Sequence, residues 1–490
     1  MPVQYTGTGA ESIAVNVEEA ISGGTLAPGD ALPPIRELAG RLGVNANTVA
    51  AAYRLLRDRG AVETAGRRGT RVRHRPATTP RSLLGLDVPA GVRDLSTGNP
   101  DPALLPIAFA RVPQARPLLY GEPAMSPVLV DYTRADLAAD GVPAGVRDLS
   151  TGNPDPALLP IAFALVPQAR PLLYGEPAMS PELVDYTRAD LAADGVPADH
   201  LAVTSGALDG IERVLTAHLR PGDRVAVEDP GWANLLDLLA ALGFSAEPVR
   251  VDDDGPLVAD MAWALNRGVR AVVITNRAQN PTGAALSADR AHALRGLLAG
   301  SDDALVVEDD HCAGIAGAPL HTLAGSTGHW AFVRTASKAY GPDLRLAVLA
   351  GDRRTVERVH GRLRLGAGWV SHLLQDLAVN LWSDQAATRL VGEAEGRYTG
   401  TRTRLCAALA ERGVSAHGRS GLNVWIPVPD ETVAITRLLN AGWAAAPGTR
   451  FRIRTPAGIR VTVSDLTADE IDPLADAVAA AVRRTGRGSV

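Results

Sequence analysis

Lysine is almost absent from this chain of 490 residues. Lysine and arginine together number 49, and the only lysine is Lys338. A composition that uses arginine wherever charge alone is needed would remove lysine from most positions. An amine can lose its proton and form a Schiff base, which a guanidinium cannot do. Lys338 is therefore a candidate for amine chemistry, and chance retention on the surface is the alternative.

Other features are also missing. The two cysteines, Cys312 and Cys406, are too few for a disulfide scaffold. No apolar run of about 18 residues exists, so no membrane span is expected. The first residues, MPVQYTGTGAES, lack the basic and apolar parts of a signal peptide. With 46% hydrophobic and 21% charged residues, we expect a folded cytoplasmic protein of two or three domains with no membrane partner.

A near-perfect internal repeat interrupts the chain. Residues 89–142 recur as 143–196, with two differences, Arg111/Leu165 and Val128/Glu182. Solenoid repeats diverge and occur in several copies, so a recent duplication or an assembly error is the better interpretation. One copy is then an insert. We take 89–142 as the insert, because the second copy runs directly into the next motif.

The rest of the sequence predicts an N-terminal unit at 1–75, a linker at 76–90, a large domain at 143–385 and a small C-terminal α/β subdomain at 386–490. Short apolar runs alternate with helical patterns such as 286–299, which predicts an α/β fold with a parallel-rich central sheet. The predicted strands of the large domain are 223–230, 270–276, 303–310, 330–338 and 344–351.

The N-terminal unit predicts two short helices separated by Gly43. The second helix begins after Asn45, a good N-cap residue. Its apolar face consists of Val49, Tyr53 and Leu56, and its other face of Asn47, Ala51 and Arg54. This spacing is typical of a helix-turn-helix, whose second helix meets base edges, although a small helical bundle gives similar spacing.

Charge favours the DNA-binding alternative. Residues 36–75 hold ten arginines against Glu37, Asp58 and Glu63, whereas the remainder of the chain is net acidic. A basic module in an acidic protein is suited to phosphate contact. Double-stranded DNA is therefore the expected partner of this unit.

Five motifs in the large domain suit one chemistry. TASKAYGPDLR (335–345) places Lys338 beside hydroxyl groups and Arg345. EDDH (308–311) supplies carboxylates, NPTG (280–283) an amide, TSGALDG (204–210) the N–H groups of a helix start, and EDPGW (228–232) an indole face. Each motif alone is weak. Together they lie near the carboxyl ends of predicted strands, where open α/β sheets bind ligands, and they fit the aldehyde, ring and phosphate of pyridoxal 5'-phosphate.

The order and the amino-acid sequences of these motifs resemble those of fold-type I aminotransferases over roughly 145–485. PGDALPPIRELAGRLGVNANTVAAAYRLLRDRGAVETAGRRGTRV resembles the winged helix of GntR-family regulators. Together they resemble the MocR class of GntR regulators, in which an aminotransferase-like domain senses ligands. DLSTGNPDP, WVSHLLQDL and SGLNVWIPV are most similar to PtsJ-type members of that class, which connects the chain with vitamin B6 metabolism.

The resemblance implies roles for individual residues. Lys338 would bind the cofactor aldehyde, Asp309 the pyridine nitrogen and Asn280 the ring oxygen, and Trp232 would stack on the ring. Gly206, Ala207, Ser337 and Arg345 would hold the phosphate, with Tyr174 (or Tyr120 in the other copy) reaching a partner subunit's cofactor, and Arg460 would bind an effector carboxylate. The DNA-contacting residues would be Arg36, Asn45, Asn47, Thr48, Arg67, Arg68 and Thr70.

One position departs from the family pattern. His311 stands where the family usually has a tyrosine. Its imidazole would still bind the cofactor by a hydrogen bond to the ring oxygen, but with a different reach and pKa from a phenol. The preferred hypothesis is a homodimeric transcriptional regulator with pyridoxal phosphate or a small amino compound as effector. The alternatives are an aminotransferase with a fused regulatory head and a fold with a dead cofactor site.

Overall fold

The structure, a computed structural model, describes residues 5–22, 25–27, 29–58, 61–64, 69–72, 91–95, 101, 177–301, 303–341 and 344–483. Several predicted positions lie outside the described residues. These are Arg67, Arg68, Tyr120 and Tyr174, the linker 76–90 and most of both repeat copies.

The N-terminal unit has the two predicted helices, preceded by a helix that was not predicted and followed by a short antiparallel pair of strands. Its elements are α1 (Ala10–Ser22), α2 (Ile35–Leu42), α3 (Ala46–Asp58), β1 (Val62–Thr64) and β2 (Thr70–Val72). Strands β1 and β2 pair with Thr64 opposite Thr70, which makes them the two sides of a wing. The predicted winged helix-turn-helix is confirmed.

Local sequence explains where α3 begins and which of its residues are buried. Oδ1 of Asn45 accepts a hydrogen bond from the backbone N–H of Asn47 at 2.8 Å, as expected for an N-cap residue. The predicted apolar face of α3 is buried: Val49 and Leu56 are fully covered and Tyr53 is 5% exposed. Gly43 ends α2 in the left-handed conformation, with φ 65°, where glycine carries no steric cost.

The rest of the described chain is an α/β structure. Its elements up to residue 411 are β3 (Arg93–Asp94), α4 (Pro181–Ala193), β4 (Leu201–Thr204), α5 (Ala207–His218), β5 (Arg224–Asp229), α6 (Ala233–Ala241), β6 (Ser245–Asp252), β7 (Gly255–Pro256), α7 (Val258–Asn266), β8 (Ala271–Thr275), α8 (Ala288–Leu298), β9 (Leu305–Asp310), β10 (His329–Thr335), β11 (Ala347–Gly351), α9 (Arg353–Arg364), α10 (His372–Ser383) and α11 (Gln385–Glu411).

A central sheet organises this part of the chain. Among the described residues it has eight strands in the order β4-β11-β10-β9-β8-β5-β6-β7. The run from β10 to β6 is parallel, as predicted. Strand β11 instead runs antiparallel to both β10 and β4, because β10 and β11 are joined by a short connection that reverses the chain. The predicted strand 330–338 also ends earlier, at Thr335.

Both faces of this sheet are covered by helices, which makes three layers. On β5, Val225 and Val227 pack with α5, α6 and α9, whereas Ala226 packs with α7 and α8 on the other face. Strands buried on both faces lack the alternation of polar and apolar residues. The five residues of β8 are all buried, which explains their continuous apolar sequence.

The C-terminal unit packs a small sheet against helices. Its elements are β12 (Asn423–Pro427), α12 (Glu431–Asn440), β13 (Trp443–Ala444), β14 (Ala446–Pro447), β15 (Gly458–Thr462) and α13 (Ile471–Val482). The sheet has the order β12-β15-β14 and is antiparallel. One core joins it to α11, α12 and α13.

Both copies of the repeat contribute to the described structure. Strand β3, from the first copy, pairs with β13, and Arg93 lies opposite Trp443. Helix α4, from the second copy, buries Leu183 and Leu191. Residues near the start of the first copy and near the end of the second copy thus have defined positions in the structure. The limits of the insert remain a prediction.

Candidate functional site

The first candidate surface is on the N-terminal unit. Arg36, Asn45 and Asn47 are exposed, and Thr48 and Thr70 are partly exposed. They lie at the start of α2, at the start of α3 and on β2. The structure thus leaves these side chains available at the recognition helix and the wing, as DNA contact requires.

The second candidate site lies at the carboxyl edge of the central sheet. In the pairing between β8 and β9, Thr275 lies opposite Asp309, and between β10 and β9, Val333 lies opposite Asp309. Thr335 and Thr204 both lie opposite Ala347. The segments that follow these strand ends therefore leave the sheet side by side.

The three acidic residues that end β9 have different surroundings. Glu308 accepts hydrogen bonds from Asn276, from Thr322 Oγ1 at 2.7 Å and from the Leu323 N–H at 2.7 Å. Asp310 accepts hydrogen bonds from two arginines, Arg277 at 2.8 Å and 3.0 Å and Arg334 at 2.9 Å. Both carboxylates are therefore occupied by the protein.

Asp309 alone of the three keeps a free oxygen. Its side chain is 3% exposed, and its Oδ1 is buried without a hydrogen-bond partner among the described residues. A buried, unpaired carboxylate oxygen is costly. Asp309 is therefore the acid of this strand end that is suited to a ligand with an N–H donor or a positive charge.

His311 lies beside that acid. Its Nδ1 is 3.3 Å from Oδ2 of Asp309. Burial acts to lower the pKa of His311, but Cys312 and Asp309 outweigh it and raise the pKa well above its ordinary value. Cys312 is itself buried, as expected for a small core residue. Because Nδ1 of His311 is buried without a hydrogen-bond partner among the described residues, the imidazole is a charged neighbour of Asp309 and not a hydrogen-bond partner that fixes it.

A second cluster surrounds the start of α5. Arg345 donates a hydrogen bond from Nη2 to the Ser205 carbonyl at 3.0 Å. Gly206, the N-cap of α5, has φ 105°, and a Cβ there would lie 2.4 Å from Nη2 of Arg345. Glycine is thus required for the guanidinium to reach the helix start, where N–H groups bind anions.

Hydroxyl groups lie at the end of β10 nearby. Ser337 Oγ is 3.0 Å from Thr335 Oγ1, and both residues are buried. Lys338 follows on the turn after β10 and is partly buried. A cation, a helix start and a hydroxyl are the usual ligands of a phosphate group. Lys338, which carries the amine, follows Ser337 directly in the sequence.

Arg460 and Asn280 meet although 180 residues separate them. Arg460 is 5% exposed, and its Nη1 donates a hydrogen bond to Oδ1 of Asn280 at 2.9 Å. Its guanidinium also lies 4.8 Å from the ring centre of Phe451. Because the Asn280 oxygen accepts from Arg460, the amide nitrogen faces away from it as a donor.

Trp232 and Asp229 follow the end of β5. Trp232 precedes α6 and packs partly against the core. Asp229 is buried and accepts hydrogen bonds from Ile453, Arg454 and Thr455 at 2.7–3.0 Å. The sequence signal EDPGW pointed to the indole, and it missed this carboxylate, which fixes the segment leading to Arg460.

Glu228 is another residue that sequence reasoning missed. It accepts hydrogen bonds from the Thr275 N–H at 3.2 Å and from Gln279 Nε2 at 3.2 Å. Burial raises its pKa to about 7, against the lowering effect of those hydrogen bonds. Gln279 also receives hydrogen bonds from Thr282. This network holds the loop that carries Asn280, and a buried acid within an apolar strand was its only sequence signal.

Comparison with known proteins agrees with both units. Residues 172–478 match the family model of aminotransferase class I and II, and residues 10–72 match that of the bacterial regulatory proteins of the gntR family. The solved structures show the aminotransferase fold. A kynurenine aminotransferase from Pyrococcus horikoshii aligns over 82% of this chain and 93% of its own, with a TM-score of 0.64 and 20% identity. An aspartate aminotransferase from Thermus thermophilus aligns over 62% and 82%, with a TM-score of 0.56 and 23% identity.

Curated relatives share both units. The vitamin B6 salvage pathway transcriptional repressor PtsJ of Salmonella typhimurium is 38% identical over 98% of this chain and 99% of its own. The regulator TauR of Rhodobacter capsulatus is 27% identical over 89% and 88%. The pyridoxine biosynthesis regulator PdxR of Corynebacterium glutamicum is 27% identical over 60% and 54%.

Fold and relatives together define a regulator that joins a GntR winged helix to an aminotransferase-like domain. The chain belongs to the MocR class of the GntR family and is a transcriptional regulator. In the part of the chain that the structure describes, no helix is both long and apolar enough to cross a bilayer.

Proposed function

We propose that this regulator binds operator DNA as a homodimer and binds pyridoxal 5'-phosphate in its aminotransferase-like domain. Its effector is the cofactor itself or a small amino compound. The observation that carries the cofactor proposal is the buried Oδ1 of Asp309, which has no partner among the described residues. A protonated pyridine nitrogen would supply the missing donor and a compensating charge.

The other groups of the site fit the same ligand. The start of α5, at Gly206 and Ala207, and the Arg345 guanidinium form a cradle that a Cβ at Gly206 would fill, which suits a phosphate dianion. Ser337 adds a hydroxyl. Trp232 would cover one face of the ring, and the amide nitrogen of Asn280 would donate to the ring oxygen. Tyr174 would complete the phosphate site of the partner subunit.

Pyridoxal phosphate, when bound, supplies an aldehyde and an electron-withdrawing ring. The residues of this chain would orient it. Lys338 would contribute the amine for the aldehyde, Asp309 would keep the proton on the ring nitrogen, and His311 would add a neighbouring positive charge to Asp309. The departure from tyrosine at His311 affects proton transfer near the ring oxygen more than cofactor binding. A sensor therefore fits the site better than an efficient aminotransferase.

The effector proposal rests on Arg460. Its guanidinium lies beside Asn280, where it can also bind a carboxylate. A ligand changes DNA binding only if it has different affinities for the two arrangements of the DNA-binding heads. The vitamin B6 names of PtsJ and PdxR support the cofactor or a related compound as that ligand.

A trapping experiment tests the cofactor proposal directly. The full chain is mixed with pyridoxal phosphate, reduced with borohydride and digested, and mass spectrometry locates the adduct. Because the chain has one lysine, we expect a single side-chain adduct, at Lys338, and an imine absorption band before reduction. Lys338→Ala should lose both, whereas Arg389→Ala, at an exposed position on α11, should keep them.

Two results would contradict the proposal. One is a wild-type protein that binds the cofactor no better than Lys338→Ala. The other is rapid amino-group transfer from amino acids to keto acids with no effect of any ligand on DNA binding. The second result would favour the aminotransferase alternative.

A further inference from the structure

A polar cavity lies at the edge of the central sheet that is opposite the proposed cofactor site. Its volume is about 270 Å³. It opens where β8, β9 and β10 begin and where α5 ends. The charged and titratable residues that line it are His218, Arg270, Asp303, His329, Arg354 and Arg358. None of them belongs to either site described above.

Two of the arginines of this cavity have no internal partner. The side chains of Arg270 and Arg354 are exposed and form no hydrogen bond or ion pair with any residue that the structure describes. Nη1 of Arg358 donates a hydrogen bond to the Ala217 carbonyl at 3.2 Å and lies 3.3 Å from Nδ1 of His218. Asp303 is the acid in the lining. The described residues that line the cavity therefore include three arginines against one acid, an excess of positive charge.

Two histidines also line the cavity. The rings of His218 and His329 lie 5.1 Å apart, and Nε2 of His218 is 2.9 Å from Thr355 Oγ1. Burial, followed by Arg358 and His329, lowers the pKa of His218 to about 4. Nδ1 of His329 is buried without a hydrogen-bond partner in the described part of the chain, 3.6 Å from Asp352 Oδ1.

We propose that this cavity binds a small, multiply charged oxyanion of the phosphate class, such as inorganic phosphate, diphosphate or the phosphate group of a metabolite. Guanidinium groups bind such oxygens through paired, charge-assisted hydrogen bonds. Polar groups line most of the cavity, which favours a compact anion over an apolar ligand. Its volume of about 270 Å³ is suited to a free anion of this size.

The test uses the full chain with isotope-labelled histidines. Titration with inorganic phosphate, and separately with diphosphate, is followed by NMR at His218 and His329. We expect saturable shifts at both residues and a raised pKa of His218, because a bound anion offsets the neighbouring guanidinium charge. Sodium chloride at matched ionic strength should not reproduce them.

Variants give the test its specificity. Arg270→Ala and Arg354→Ala each remove an exposed, unpaired side chain, so both should fold, and each should weaken binding about tenfold through loss of a charge-assisted hydrogen bond. Arg389→Ala is the charge-matched control and should bind normally. Arg345→Ala removes the cation of the proposed cofactor site and should leave the histidine shifts intact, which keeps the two proposals separable.

Three outcomes would overturn the proposal. The first is a linear, unsaturable response that chloride reproduces. The second is a response that Arg345→Ala abolishes, which would place the anion in the cofactor site. The third is that duplex DNA shifts the NMR signals of the same histidines and that Arg354→Ala weakens DNA binding. That result would assign these arginines to nucleic acid.

Discussion

Arg460 donates a hydrogen bond to Asn280 at 2.9 Å, so the residue expected to bind an effector also orients the residue expected to bind the cofactor ring. Arg460 lies on β15 in the C-terminal unit, and Asn280 lies in the loop after β8. An effector carboxylate that binds the Arg460 guanidinium would compete with Asn280 and break this hydrogen bond. The two ligands are therefore expected to be coupled through this hydrogen bond.

Arg460→Met should separate the two roles. The variant keeps an apolar stem of similar length against Phe451 but has no donor for Asn280 or for a carboxylate. We expect borohydride trapping at Lys338 to persist and the spectral response to added L-glutamate or L-alanine to disappear. Asn280→Ala should instead weaken cofactor binding about tenfold, as expected for one lost hydrogen bond to a charged ligand. An unchanged amino-acid response in Arg460→Met would contradict this assignment.

The neighbouring acids Asp309 and Asp310 should respond in opposite ways to the same change. Asp309→Asn removes a buried carboxylate that has one unpaired oxygen and one ionisable neighbour, His311, so we expect the unfolding free energy of the apoprotein to fall by less than in Asp310→Asn while cofactor affinity falls at least tenfold. Asp310→Asn leaves Arg277 and Arg334 short of a buried partner, which costs about 3 kcal/mol. Chemical unfolding and spectrophotometric titration of both variants check this. Equal loss of stability in the two would show that Asp309 is an ordinary structural acid.

Glu228 should make stability fall as pH rises. Its pKa is raised by burial from 4.5 to about 7 in the folded protein, so the folded state holds the proton more tightly than the unfolded state does. The contribution is complete below about pH 4.5 and is lost as pH rises through about 7, a total of about 3 kcal/mol. Glu228→Gln cannot titrate. We expect its unfolding free energy, relative to wild type, to rise between those two pH values, and a parallel profile would refute the assignment.

Arg36 should contribute to DNA binding through phosphate contact. Its side chain is exposed at the start of α2. Arg36→Ala should weaken binding to the upstream region of the regulator's own gene and reduce the slope of log affinity against log salt by about 1. Fluorescence anisotropy over a range of KCl concentrations measures both. Arg389→Ala, which removes the same charge far along the chain, should leave the slope unchanged.

Deletion of 89–142 should leave a folded, cofactor-binding protein. The second copy repeats the residues of β3 without change, so its head can replace the strand that pairs with β13. We expect the shortened chain to show the same imine band and a similar unfolding midpoint. A chain that fails to fold would show that the first copy is indispensable, and the converse deletion, 143–196, would then identify the functional copy.

The sequence predicted much of this molecule where local signals are strong. The Asn45 cap, the buried face of α3 and five of the eight described strands of the central sheet follow from short-range patterns, whereas β4, β6 and β7 were not predicted. The direction of one strand did not follow from its sequence. The residues between Thr335 and Ala347 return the chain so that β11 runs antiparallel to β10, and the apolar run of β11 does not encode this reversal. Residues alone could not choose among Glu308, Asp309 and Asp310 either, since the choice depends on partners such as Arg277 and Thr322 that are distant in the chain.

The residues that were missed share that property. Asp229 and Glu228 lie in a strand end that was noticed for its tryptophan, and their partners come from residues 453–455 and from Gln279. A carboxylate that accepts hydrogen bonds from a remote backbone segment leaves no spacing signal in the sequence. Only the tertiary structure brings such groups together.

Asp229 also has a mechanical consequence. The carboxylate at the end of β5 accepts hydrogen bonds from three consecutive backbone N–H groups a few residues before Arg460. We expect a ligand that displaces Arg460 either to break these hydrogen bonds or to move the end of β5 together with that segment, which would carry a change at the effector residue to the edge of the sheet.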